Sequence, residues 1–574
     1  MINKKNAFFG MVRTICSLAV LTSLMYSSKL HVNINHPVYD YLDRLATQGL
    51  LPSYLNDTLP LKRDYIVQML SKLNQQREEL SDMDQALLDY YLADYRYELQ
   101  NALYFKIPDN HNAYHPFTSK HHIKDRIKDV FSFQAQQENH HLVVYEKDKN
   151  LVWFDIGGMA RYEMKNSDGR IPYSYKYKLS VLLGDHFIAY SDADLYAMIY
   201  NAGFDEKPKE FKGGFPVNHE GFYGFDHELS FDYAHAYIQY SSSVGNFAIV
   251  TEPLKWGNAN NPIILSNNVP PFAMVSWDKR LARSRFSFFH GTILPADSIG
   301  LDNESLITYA AKYLVGHRWE LSISDKLHSA FTEMLVYGGR DPELVYFIPN
   351  IFLWPVQHNM TSQGEDNIIW FVEAEYFPSP GLKLYGTFMI DDLRTSQMFN
   401  DWYNNRWAFQ VGTHLTGVIQ SFPTDIRLEF TAARPWVYTH RIPQYGTYTH
   451  NGRTLGFYPG PNSQLINIEN RWWLSTRTRL MINYDQLKWG EKPKSEQSDT
   501  YDFGNDSNHD YSNVNPDYHN KTGWLIGNIN TNRTLRISWE YQLSNVLEFI
   551  LGVSHSWGVD DSANWVSVQI NVDY

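Results

Sequence analysis

Cysteine is almost missing: Cys16 is the single one in 574 residues. That excludes a disulfide scaffold and any cysteine-built zinc or iron–sulfur site. A basic excess is missing too, since 50 Lys and Arg face 63 Asp and Glu, a net charge of −13. Without a basic tract, nucleic acid is not an expected partner. No apolar run reaches the roughly 18 residues that a membrane-crossing helix needs. The GxSxG elbow of serine hydrolases does not occur.

Aromatic residues are what the chain has instead: 40 Tyr, 32 Phe and 16 Trp, or 15% of the residues. Hydrophobic residues make up 43% and charged residues 20%, which fits a folded chain rather than a disordered one.

Lys4, Lys5 and Arg13 precede an apolar stretch from Ile15 to Met25, followed by Ser27 and Ser28. The pattern reads as a secretory signal peptide over 1–28 rather than an anchor. Arg13-Thr14-Ile15 does not fit the small residues that precede a lipoprotein cysteine. The mature chain is therefore expected to be exported and free of cysteine.

Residues 36–105 have helical periodicity. Val38, Tyr41, Leu42 and Leu45 share a face that ends at Gly49, and Ile66, Met69, Leu70 and Leu73 repeat the spacing. Ser81 with Asp84 forms a capping box ahead of Leu87, Leu88, Tyr91, Leu92 and Tyr95. A small helical module, expected in the periplasm, fits this stretch better than a catalytic domain.

From about residue 130 to 574 the period becomes two. Ile426, Leu428 and Phe430 alternate with Arg427, Glu429 and Thr431; Ile368, Trp370, Val372, Ala374 and Tyr376 alternate with Glu373 and Glu375. Leu327 to Tyr337 is less regular, with Glu333 between Phe331 and Leu335 on one face. A soluble sandwich and an outer-membrane barrel both produce such alternation. Three features favour the barrel. Arg and Glu share the polar face, as at Arg427/Glu429 and Arg536/Glu540. Trp436, Tyr438, Tyr445, Tyr448, Trp472 and Trp473 cluster at strand ends, where a membrane interface suits them. The last strand carries Val566, Val568, Ile570, Val572 and the terminal Tyr574 on one face, like the signal read by barrel assembly machinery. At roughly 10 residues a strand, the length allows about 16–18 antiparallel strands. The expected fold is thus an all-β transmembrane barrel with a small N-terminal helical module, set in outer-membrane lipid.

Residues 246–277 contain Trp256-Gly257, then Ile264-Leu265-Ser266-Asn267-Asn268, then Pro270-Pro271. This order resembles the signature of the capsule assembly protein Wzi family. Tyr41 to Leu45, Gly49 to Leu51, Leu59-Pro60-Leu61 and Leu384 to Asp392 are similar to further family segments. The resemblance implies a barrel of about 18 strands with a periplasmic helical bundle. It further implies a lectin-like, non-catalytic role in holding capsular or other surface polysaccharide, with no cofactor.

Two regions offer sugar contacts. Residues 490–522 interleave Tyr501, Tyr511 and Tyr518 with carboxylates, and sugars pair an apolar C–H face with hydroxyls; a ligand-free surface loop has the same composition. Trp256, Asn258, Asn267 and Asn268 form the second region, where Asn serves equally to bond a ligand or to fix an inward-folded loop. No metal is expected. Asp506 to Asp510 starts like a calcium loop but has Tyr511 where Gly is needed, and His111 and His115 have helical spacing but sit among Asn, Pro and Asp, which disfavour a helix. Adjacent Asp391 and Asp392 would point to opposite faces of a strand, which argues against a glycosidase pair. The competing classes are a porin-like channel for small solutes or sugars and a scaffold for export machinery.

Overall fold

The computed structural model describes residues 29–95 and 142–573, the latter without 148–149, 167, 202–206, 214–216, 221–224, 297–310, 361–365, 393–394, 398–399, 418–422, 494–500, 512–513, 545 and 560–561. The expected leader, His111, His115 and Tyr574 lie outside the described residues.

Eighteen antiparallel strands close into one barrel. They are β1 Asn150–Lys165, β2 Asp168–Leu183, β3 Phe187–Tyr200, β4 His227–Ser242, β5 Gly245–Glu252 and β6 Phe272–Leu281. Then come β7 Ser284–Ile293, β8 Lys312–Ser324, β9 Leu327–Gly338, β10 Asn367–Ser379, β11 Leu382–Asp392 and β12 Arg406–Thr416. The rest are β13 Thr424–Ala433, β14 Ser463–Ser475, β15 Thr478–Glu491, β16 Asn528–Gln542, β17 Leu547–Gly558 and β18 Ala563–Asp573. Closure is the pairing of β18 with β1, from Trp565 opposite Lys165 to Asp573 opposite Gly157. A closed barrel leaves no unpaired edge, as a wall in lipid must.

The alternation sorts the two faces. Val372, Leu384, Phe388, Leu428, Ile537, Leu551, Val553, Val566 and Ile570 stand exposed on the outer wall. Their polar neighbours turn inward and pair across strands, as Arg479 does with Glu540 at 2.5 Å. A continuous apolar exterior over a charged interior is the inverse of a soluble sandwich and fits lipid outside. Among the described residues no helix is long and apolar enough to cross a membrane; the strands do it.

Turns at one end of the barrel are short, as at 184–186, 243–244, 282–283, 325–326, 380–381 and 476–477, while the other end carries long segments such as 201–226, 253–271 and 434–462. Three helices, α1 Val38–Thr47, α2 Arg63–Gln75 and α3 Asp82–Asp94, pack at the short-turn end. Their contacts there include Gly381 N–H on the Thr47 carbonyl at 2.8 Å and Ser322 with Ser53 at 3.1 Å. Ser81 caps α3 by accepting from the Asp84 N–H at 3.1 Å, and Gly49 ends α1 at φ +90°. Their shared core of Tyr41, Leu42, Leu45, Leu70, Leu73, Leu87 and Leu88 also takes in Trp473 of the barrel wall.

Candidate functional site

The lumen is filled from both ends. The 253–271 segment leaves β5 at the long-segment end and turns inward, pairing Lys255–Trp256 with Leu265–Ser266. Thr58 and Leu59, from the helical module, add a third strand: Thr58 lies opposite Trp256 and Leu59 opposite Lys255. Backbone ladders thus join the module at one end to a loop from the other. Gly257 makes the turn possible at φ +122°, where a Cβ would lie 2.7 Å from the Pro262 Cβ.

Charged wall residues hold this loop by its backbone. Glu373 accepts from the Asn258 N–H at 3.3 Å and Glu429 from the Asn260 N–H at 2.8 Å. Arg427 donates to the Asn260 side chain at 2.9 Å, and Gln410 to the Asn261 carbonyl at 2.9 Å. Arg318 in turn ion-pairs with Glu373. The same charged face grips α1: Asp43 pairs with Lys383 at 2.7 Å, Arg427 at 2.8 Å and His414 at 3.2 Å. Asp40 pairs with Arg471.

Two further layers stack outward. Segment 434–462 lies on the first loop, where the Tyr438 and Tyr448 hydroxyls donate to the carbonyls of Ile263 at 2.7 Å and Ile264 at 2.9 Å. Trp256, Ile263, Ile264, Leu265, Val437, Leu455 and Phe457 all belong to this buried lumenal core. Outermost, Trp436 packs with Phe503, Val514 and Ile526, with its indole N–H on Asp502 at 3.2 Å.

The expected aromatic loop is therefore mostly a lid. Tyr518 packs edge-on against Phe503 at 5.6 Å and Tyr511 lies under the Arg406 guanidinium at 4.5 Å, while Tyr501 stays exposed. Asp506 uses a carboxylate oxygen to accept the Asn508 N–H at 2.8 Å, closing a local turn. The four residues of the Trp256 region separate. Trp256 is buried edge-on against Phe289 at 5.1 Å, and Asn258 is buried beside Thr387. Asn267 and Asn268 reach the outer side of the loop.

There they meet two cations. Lys212 Nζ donates to Asn267 Oδ1 at 2.6 Å, and Arg453 donates to Asn268 Oδ1 at 2.9 Å and to the Phe211 carbonyl at 2.8 Å. Neutral oxygens hold both, and among the described residues neither forms an ion pair. Asn267 also borders a narrow cleft, too small for a sugar ring, lined by Glu252, Leu254, Leu265, Val269, Pro270 and Leu455. Burial, with the Arg453 charge beside it, lowers the Lys212 ammonium to about 8. Burial lowers His450, in the same segment as Arg453, to about 3, so it adds no charge near neutrality. Two cations held by neutral amide and carbonyl oxygens at this surface can pair with the carboxylate of an acidic sugar.

Sequence reasoning missed Lys212 and Arg453, which lie far apart in the chain and in no motif. It also missed Asp192, Asp194 and His235, whose ligand atoms lie within 4.8 Å of one another on the inner wall. Lys176, opposite Asp194 in the strand register, already neutralises that carboxylate at 3.1 Å.

Fold and interior together define a transmembrane β-barrel of the outer-membrane type whose lumen is occupied by its own helices and loops. The family model of the capsule assembly protein Wzi matches residues 106–558, and the chain belongs to that family. Among solved structures it is similar to Wzi of Escherichia coli, described as an outer membrane protein involved in group 1 capsule assembly and a carbohydrate-binding β-barrel. That likeness covers 95% of this chain and 99% of that one at 13% identity, with a TM-score of 0.55. OprD of Pseudomonas aeruginosa is similar at a TM-score of 0.39 and 11% identity, over 73% of this chain and 94% of its own. Comparison with curated proteins finds no match.

Proposed function

We propose that this protein holds surface polysaccharide at the long-segment face of the barrel, without catalysing a reaction on it. The observation that carries this reading is the pair of cations, Lys212 and Arg453, presented on Asn267 and Asn268 at the long-segment end of the barrel. Membership of a capsule assembly family supports it. The filled lumen supports binding over conduction. The long-segment face then looks outward from the cell and the helical module faces the periplasm, since outer-membrane barrels keep their turns short on the periplasmic side. The final strand β18 serves as the signal read by the barrel assembly machinery.

The test is binding of surface polysaccharide from the protein's own source to the detergent-folded chain. The expected result is saturable binding that a Lys212→Gln/Arg453→Gln double variant weakens by about 10-fold or more, because hydrogen bonds to charged groups contribute about 1.5–3 kcal/mol each. With Lys212 at about 8, affinity is full below that pH and falls as pH rises above it. Equal binding by the double variant, confirmed folded by heat-modifiable gel mobility, overturns the assignment of these two cations.

A further inference from the structure

The wall between β8 and β10 carries a polar pair on the wrong side. Arg318, Glu320 and Thr332 are buried on the lumenal face, with Arg318 donating to Thr332 at 2.9 Å, while Trp319, Leu321 and Ile323 are exposed outside. Strand alternation therefore turns His317 and Glu333 outward. Both are buried all the same, His317 Nε2 lying 2.8 Å from Glu333.

What buries them is the segment joining β9 to β10, which folds back over the outer wall. Its short helix Leu353–Met360 points its first N–H groups at Glu333: Leu353 donates at 2.9 Å and Trp354 at 3.2 Å. The Trp370 indole donates to the same carboxylate at 2.9 Å. Tyr346, Leu353 and Val356 pack onto Phe288, Val315, Leu335 and Tyr337 of the wall. Arg340, ion-paired with Asp366 at 2.8 Å, ties the two ends of the segment together.

The far side of the segment exposes several large apolar side chains, with Asn350 exposed among them and Asp341, His358 and Asn359 exposed toward its ends. Leu344 is 84% exposed, Phe352 55%, and Phe347, Ile348 and Trp354 are exposed as well. Phe352 meets Trp319 edge-on at 5.9 Å, so this surface runs without a break into the lipid-facing band of β8.

We propose that the outer side of this flap is embedded in the acyl chains of the membrane around the barrel, so that the segment is a second, lipid-facing layer of the wall. The carboxylate beneath explains its permanence. An ionised side chain on the lipid face is destabilising, and here four donors and an apolar cover keep Glu333 out of lipid. A flap that opened in the bilayer would expose that charge. The proposal stands independently of polysaccharide binding.

The experiment uses the full chain in a Cys16→Ser background, with one cysteine placed at Leu344, Ile348 or Phe352 and labelled with an environment-sensitive fluorophore. Leu321 on the wall and Tyr501 on the outer lid are the controls. In phosphatidylcholine vesicles carrying doxyl-labelled lipid, the flap labels should lose the same fraction of emission as Leu321 and resist aqueous iodide. Quenching by iodide but not by lipid, as expected at Tyr501, overturns the proposal. Quenching by neither overturns it too, because it means that a second copy or another protein covers the face. Should the cysteine variants fail to fold, the native chain answers with a photoactivatable phospholipid. Label recovered in 344–354 supports lipid contact, and label confined to the strands refutes it.

Discussion

Lys383 on the barrel wall and Asp43 on α1 form an ion pair at 2.7 Å, with both side chains buried. Lys383 also reaches Glu375 at 3.1 Å, and Asp43 also holds Arg427, so the pair together ties α1 to β10, β11 and β13. Removing one partner from a buried pair leaves an uncompensated charge, which costs about 3–5 kcal/mol. Because Arg427 and His414 remain on Asp43, Lys383→Met should fall at the low end, about 3 kcal/mol. The temperature at which the folded gel band disappears should drop accordingly. A double-mutant cycle with Asp43→Asn should recover part of the loss; strict additivity would count against direct coupling.

Asp40 gives the docking of α1 an acid limit. Burial pushes its carboxyl up, but Arg471 and Arg427 outweigh burial and hold it at about 2. A depressed carboxylate stabilises the fold above its unfolded value, near 3.9, and that contribution disappears as pH falls toward about 2. The shift corresponds to about 2–3 kcal/mol, at 1.36 kcal/mol per unit. Pepsin, which works in this range, should leave residues 29–95 intact at about pH 4 and cleave them near pH 2. In Asp40→Asn the contrast between the two pH values should shrink; an unchanged contrast would remove Asp40 from the account.

The wall was legible in the sequence and the interior was not, for a physical reason. Lipid outside and charge inside impose a period of two, so Ile426 to Ala433 and Ile368 to Tyr376 declare their faces residue by residue. An inserted loop has no such period. Trp256 and Asn267 sit eleven positions apart in one motif, yet one is core and the other lies beside the cleft, because the chain reverses between them. The irregular alternation at Glu333 had a cause too distant to read: Leu353 and Trp354, about twenty residues on, supply the donors that let a carboxylate face outward. Lys212 and Arg453 meet only because segments 201–226 and 434–462 fold over the same barrel end.

The ladder from Thr58 to Trp256 makes a prediction about conduction. With the lumen closed by paired backbone and a packed core, the native chain should show no large steady conductance in a planar bilayer. Gly257→Val asks a β-branched residue to adopt φ +122° and pushes a Cβ into Pro262. Such strain costs about 1–3 kcal/mol, and overpacking adds about 1–3 kcal/mol more. The loop has a cheaper conformation available, which is to leave the lumen, whereas the hydrogen-bonded wall has none. The variant should therefore keep its heat-modifiable gel mobility and gain steady conductance, larger still when the Thr58 segment is removed with residues 36–100. A native chain that already conducts freely would mean that the ladder is not the seal. A Gly257→Val chain that stays silent would mean that the 434–462 layer alone suffices to close the barrel.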